Sequence, residues 1–242
     1  PEDKMYRIMS LYSELKEQFS ASDFLPLIAV LLADRVPGDD AERFITRGKE
    51  IYKLMKKEHP FLTGSEDSVF AVLLAFSNKS NEQLISEMEQ IFAELKDDGF
   101  NKDSTQTVSH IFALSEGDYT EKCAKLRKMI ELIKLRGRKY GKSYEMGVLA
   151  GLAILPADAE TLVDEMMEID EYLSTDKDYG FFGFDKHTRL MHAAMILSGE
   201  YADADTNKET EVSALAGTIA IVAVEEAALY GAIIAGAAAG SH

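Results

Sequence analysis

The chain has 242 residues, 46% of them hydrophobic, and carries 42 acidic against 26 basic side chains for a formal charge of −16. That balance fits a folded globular chain and excludes a general nucleic-acid binder, which needs a basic footprint to neutralise phosphates. A single cysteine, Cys123, excludes an internal disulfide framework and fits a reducing cytoplasm.

The opening Pro1-Glu2-Asp3-Lys4 has no basic end before an apolar core and does not read as a signal peptide. Residues 2–18 carry Met5, Ile8, Met9, Tyr12 and Leu15 at helical spacing, which predicts an amphipathic opening helix. Four hairpins follow, pairing 24–34 with 40–57, 66–77 with 81–97, 104–115 with 119–135 and 143–155 with 158–174. Pro37-Gly38, Glu116-Gly117-Asp118 and Pro156 supply breaks inside three of them. A fifth unit starts at 187–198 and, after a polar stretch at 199–210, leads into an Ala/Gly-rich closing helix at 211–239.

Stepping from Ala33 through Ala75, Ala113 and Ala153 to Ile196 gives intervals of 42, 38, 40 and 43 residues. Periods of this size mark helical-hairpin arrays, in which neighbours bury one another's apolar faces. The first helices (Val69–Phe76, Gly147–Leu155, Leu190–Leu197) are almost wholly apolar and belong in an inner layer. Second helices such as the one bearing Leu84, Met88, Ile91 and Leu95 alternate apolar and charged residues and belong outside. The expectation is a single all-α domain over 1–242, an array of about five helical hairpins, either α-solenoid-like or a compact α/α bundle.

Three blocks carry a resemblance: Phe61-Leu62-Thr63-Gly64-Ser65-Glu66-Asp67 followed by Ala71-Val72-Leu73-Leu74-Ala75, then Ser109-His110-Ile111-Phe112-Ala113-Leu114-Ser115, then Arg189-Leu190-Met191-His192-Ala193-Ala194-Met195. Together they resemble domain-of-unknown-function family 4003, a group of uncharacterised bacterial proteins. The resemblance covers about residues 1–200. It implies a helical bacterial protein and brings no catalytic or binding residues with it.

No catalytic motif, cofactor signature or metal-ligand spacing stands out. Gly137-Arg138-Lys139-Tyr140-Gly141-Lys142-Ser143 has three residues between its glycines where a P-loop has four, and a charged helix precedes it instead of a strand. It reads as an inter-helix turn. The histidines form no HExxH motif, and His187 and His192 lie about 140° apart around a helix.

Two candidate surfaces remain. If the hairpins superimpose, Asp67, His110, Glu145, His187, Arg189 and His192 fall near the starts of the first helices, where they could converge on one pocket. In that pocket Arg189 would hold an anion, His110 or His192 would move a proton, and the carboxylates would orient a cation or substrate. The bland alternative is helix capping. The second surface is the basic window 122–142, whose net charge is +8 in a chain otherwise at −24.

Its charges face solvent or pair with the acidic helix that follows, dock an acidic protein or peptide, or contact nucleic acid or anionic lipid locally, which the overall negative charge disfavours. In the docking case Lys134, Arg136, Arg138 and Lys139 act with the aromatic loop bearing Phe181, Phe182 and Phe184. The alternative for that loop is a seal between hairpins. In the tail, Ala223, Ala227, Gly231, Ala235 and Ala239 form a ladder of small side chains suited to a homodimer seam. Glu225-Glu226 divide its apolar run into pieces shorter than the ~18 residues of a membrane span. The leading expectation is a non-enzymatic cytoplasmic scaffold or adaptor for a protein or peptide partner, and the alternative is a small-molecule or metal-dependent site at the first-helix ends.

Overall fold

The computed structural model describes residues 2–36, 40–179 and 184–204. Among them are ten α-helices, one short 3-10 turn and no strand. The chain is all-α. The division into two compact units falls between Ile85 and Ser86, inside a helix that begins in one and ends in the other.

The first unit holds α1 (Glu2–Gln18), α2 (Phe24–Arg35), α3 (Ala41–Glu58), α4 (Asp67–Leu74) and the start of α5 (Asn81–Leu95). All eight residues of α4 are buried, as an apolar helix covered on every side requires. Helix α3 turns Ala41, Ile45, Gly48, Ile51 and Met55 inward, a spacing of three to four residues that keeps one face apolar. Gly48 is the point of closest approach. A Cβ there would lie 2.8 Å from Val72 Cγ2 and 3.0 Å from Val72 Cα, so only glycine lets α3 and α4 meet at this distance.

The second unit holds the rest of α5, then α6 (Lys102–Leu114), α7 (Tyr119–Leu135), α8 (Glu145–Ala153), α9 (Ala159–Leu173), a 3-10 turn (Lys177–Tyr179) and α10 (Lys186–Ala204). Helix α8 packs against both α6 and α10, and all nine of its residues are buried. Helix α7 lies along α9.

The helix pairs differ from the expected hairpins in one respect. The most extensive packing joins α1 to α2, α3 to α4 and α9 to α10, so these three outer helices lean chiefly on the inner helix that follows, whereas α7 packs more on α9 than on α8. Short breaks such as Glu116-Gly117-Asp118 set the helix boundaries, but burial chooses the partner. Helix α10 also continues six residues past Ser198, into the stretch expected to be a polar break. Gly199 has open space around its Cα, and the Tyr201 hydroxyl donates to Glu165 at 3.0 Å, which ties this last turn to α9. No helix among the described residues is long and apolar enough to cross a membrane.

Basic side chains of the outer helices close the C-terminal ends of inner ones, where the last carbonyls lack intrahelical partners. Arg47 of α3 donates to the carbonyls of Ala75, Ser77 and Lys79 beyond α4. Lys122 of α7, 7% exposed, donates to the Phe112 and Ser115 carbonyls at 2.7 and 3.1 Å. Lys125 does the same for α8, donating to the Leu155 and Ala157 carbonyls at 2.6 and 2.5 Å.

Candidate functional site

The segment that failed as a P-loop ends α7 in a Schellman motif. Gly137 takes φ +74°, its N–H donates to the Lys134 carbonyl, and the Arg138 N–H donates to the Ile133 carbonyl, each at 3.0 Å. The reversal places Arg138 and Lys139 just past the helix. Further along, Gly141 leaves the space taken by the Glu145 carboxylate, which accepts from the Ser143 N–H at 3.0 Å.

Opposite this turn starts α10. The Asp185 carboxylate accepts from the N–H groups of His187 and Thr188, both at 2.8 Å, and so caps the helix. Those hydrogen bonds hold its carboxyl below the usual range. His187 Nδ1 donates to the Lys139 carbonyl at 2.9 Å, joining the two segments.

Between them lies a cleft of about 430 Å³ lined by Arg138, Lys139, Lys186, His187 and Arg189, with Gly137 and Leu190 completing it. Its anchor is Asp170 of α9, which is fully buried. Arg189, 8% exposed, donates to Asp170 through Nε at 2.6 Å and Nη2 at 3.2 Å, while Arg138 donates through Nε at 2.8 Å. Burial alone would raise the Asp170 pKa, but the hydrogen bonds and charges of Arg189 and Arg138 outweigh it and hold the carboxyl below the usual range. One buried carboxylate therefore fixes two guanidinium groups along a single wall. Lys139 and Lys186 are exposed and have no carboxylate partner among the described residues.

The other expected pocket residues are engaged separately. Asp67 belongs to the first unit, where its carboxylate accepts from the Gly64 N–H at 2.8 Å, a capping role. In the second unit the Glu145 carboxylate accepts from the Ser143 N–H just ahead of α8, and His110 is buried on α6. His192 Nδ1 lies 2.7 Å from the Tyr179 hydroxyl, and burial lowers its pKa so that the imidazole is neutral at pH 7. Arg189 and His192, one helical turn apart, thus turn to different partners. Only His187 and Arg189 of the original set line the cleft.

Of the interface candidates, Arg138 and Lys139 line the cleft and Lys134 is exposed. Arg136 pairs with Asp164 of α9 through Nε at 2.6 Å. Phe184 is 53% exposed, with its ring 5.2 Å from that of His192 and 5.6 Å from that of Tyr179. Phe181 and Phe182 lie outside the described residues, as does the Ala-rich segment 211–239.

Two members of the site were not singled out in the sequence, Asp170 figuring there only as one acid of the helix with which the basic window could pair. Lys186 adjoins His187 but sits at the edge of a polar loop. Asp170 was legible in principle: it falls four residues after Met166 and seven after Val163, on the stripe that α9 buries. An acid on an apolar stripe calls for a buried cation.

The first unit offers a cleft of similar size, about 440 Å³, between α1 and α3. Its charged lining is Glu14, Glu17 and Glu42 with Arg7, whose guanidinium donates to the Val36 carbonyl. Among the described residues no group of three or more His, Cys, Asp or Glu side chains is placed to hold a metal ion.

Residues 1–227 match the family described as "Protein of unknown function (DUF4003)". The chain belongs to that family. It is also similar to an uncharacterised protein, YeaA, of Bacillus subtilis (strain 168), with 25% identity over 237 residues that cover 97% of this chain and 69% of the relative. No solved structure matches.

Proposed function

We propose that this chain is a non-enzymatic binding protein that docks an acidic segment of a protein or peptide partner on the cationic cleft of its second unit. The observation that carries this reading is charge segregation. In a chain at −16, Arg138, Lys139, Lys186 and Arg189 gather around one concave site with His187. A concave wall of one sign focuses potential and draws in oppositely charged partners, while a negative remainder repels wrong contacts. Phe184, 53% exposed, lies two residues before the start of α10 and gives a docked chain an aromatic contact. A cytoplasmic setting fits the single cysteine, a free and buried thiol.

The test is fluorescence anisotropy with a labelled twelve-residue Glu-rich peptide and a neutral peptide of equal length. The Glu-rich peptide is expected to bind and to weaken steeply as salt rises from 50 to 300 mM. Reversing Lys139 and Lys186 to Glu abolishes binding in a protein whose circular dichroism is unchanged. Equal binding by the reversed variant removes the cleft from the interaction. A second reading, a small anionic molecule at the start of α10, draws on the cleft volume, since about 430 Å³ falls within the range of small-molecule sites.

A further inference from the structure

Resting on the reading of this cleft as the partner site, we infer that the group it recognises is a phosphate monoester. The argument begins with charge. Four cations line the cleft; Asp170 supplies one negative charge to the two arginines, and Asp185, next to Lys186 in sequence and capping α10, supplies a second. Two positive charges remain. A carboxylate would neutralise one of them, whereas a phosphate monoester carries about −1.5 to −2 at pH 7 and neutralises both.

Donor geometry points the same way. Asp170 takes Nε of Arg138, and Nε and Nη2 of Arg189. That leaves both terminal nitrogens of Arg138 and Nη1 of Arg189 without a partner among the described residues. Guanidinium nitrogens in a fixed plane suit the oxygens of a phosphate, and Lys139 and Lys186 add mobile point charges. Because Asp170 is fully buried, the arginine wall is set before any ligand arrives, so little ordering entropy opposes binding. Of the N–H groups at the helix start, those of His187 and Thr188 are already taken by Asp185, so the side-chain cations carry the argument.

The same group could arrive on a phosphorylated side chain of the partner or on a small phosphate ester. Isothermal titration on the full chain separates these. Inorganic phosphate and acetate are compared at matched ionic strength, then glycerol 3-phosphate, then an acidic peptide with serine or phosphoserine at its centre. Phosphate is expected to bind about tenfold or more tightly than acetate, the scale of one further charge-assisted hydrogen bond. Replacing Arg138 with Gln, or Lys139 and Lys186 together with Ala, should each cost about the same factor.

The two lysines are exposed and make no ion pair among the described residues, so their variant keeps its fold even if Arg138→Gln disturbs Asp170. Acetate matching phosphate, or the lysine variant matching the parent chain, overturns the inference. A phosphoserine peptide preferred over glycerol 3-phosphate assigns the phosphate to a protein partner, and the reverse assigns it to a small ester. If serine and phosphoserine peptides bind equally, the phosphate inference fails while the acidic-partner reading stands. If neither peptide binds, that reading fails, and phosphate against acetate alone decides this one.

Discussion

Replacing Asp170 with Asn should destabilise the second unit by about 3 kcal/mol, the lower end of the ~3–5 kcal/mol for removing one partner of a buried ion pair. Arg189 dominates because it is 8% exposed and would be left facing a neutral amide. Arg138, whose side chain is 37% exposed, can turn to water and adds a surface-pair value of about 0.2–1 kcal/mol. The amide oxygen still accepts one hydrogen bond, which keeps the total from the upper end. Urea unfolding followed by circular dichroism measures the loss, and hydrogen exchange of α9 and α10 amides places it.

The effect also has a pH signature. The folded-state pKa of Asp170 lies below that of the unfolded chain, so its contribution is complete at neutral pH and fades as pH falls below about 4. The difference between parent and variant should therefore shrink in acid. A companion variant, Asp170→Leu with Arg189→Met, removes both buried charges and should recover much of the stability. A loss under about 1 kcal/mol for Asp170→Asn, or a loss independent of pH, would refute the idea that this carboxylate holds the cleft wall in place.

Two further outcomes test the packing. Cys123 is fully buried and its thiol is pushed up to about 11 by desolvation, so it should resist a disulfide-exchange reagent at pH 8 in the folded chain and react within seconds in 6 M guanidinium. Gly48→Ala should lower stability by about 1–2 kcal/mol on thermal unfolding, because crowding against the Val72 backbone at 3.0 Å outweighs the ~1 kcal/mol that alanine gains in a helix; a stabilised variant would show that α3 and α4 can part freely.

Helix positions were readable because the physics that sets them is local. Apolar runs such as Val69–Leu74 and breakers such as Gly117 and Pro156 act within a few residues, and the observed spans of α4, α7 and α9 follow them closely. Partner choice was less legible. Nothing near α3 in sequence announces that Gly48 admits Val72, because the fit depends on surfaces more than twenty residues apart. The site was half legible for the same reason. Arg189 and Arg138 stand out as cations, but only burial of Asp170 reveals that the two share an anchor. Asp67 and Glu145 stand out as acids at helix starts, and there the local explanation, accepting from a nearby N–H, accounts for both.

The basic window 122–142 joins these scales. Lys122 and Lys125 end inner helices, Arg127 pairs with Glu94 and Asp98 of the preceding segment, and Arg136 pairs with Asp164. Each of these cations meets an oxygen that the fold itself supplies, so a +8 window need not imply a partner. The Schellman turn at Gly137 changes that pattern. Beyond it Arg138 keeps its terminal nitrogens and Lys139 its ammonium without an acidic partner among the described residues, and both face cations carried in from α10. Like charges brought together in a concave site repel one another, and Asp170 relieves only part of that repulsion. The unrelieved part is what an incoming anion would gain on binding, and it lies just past the turn where the helix stops using its own basic residues.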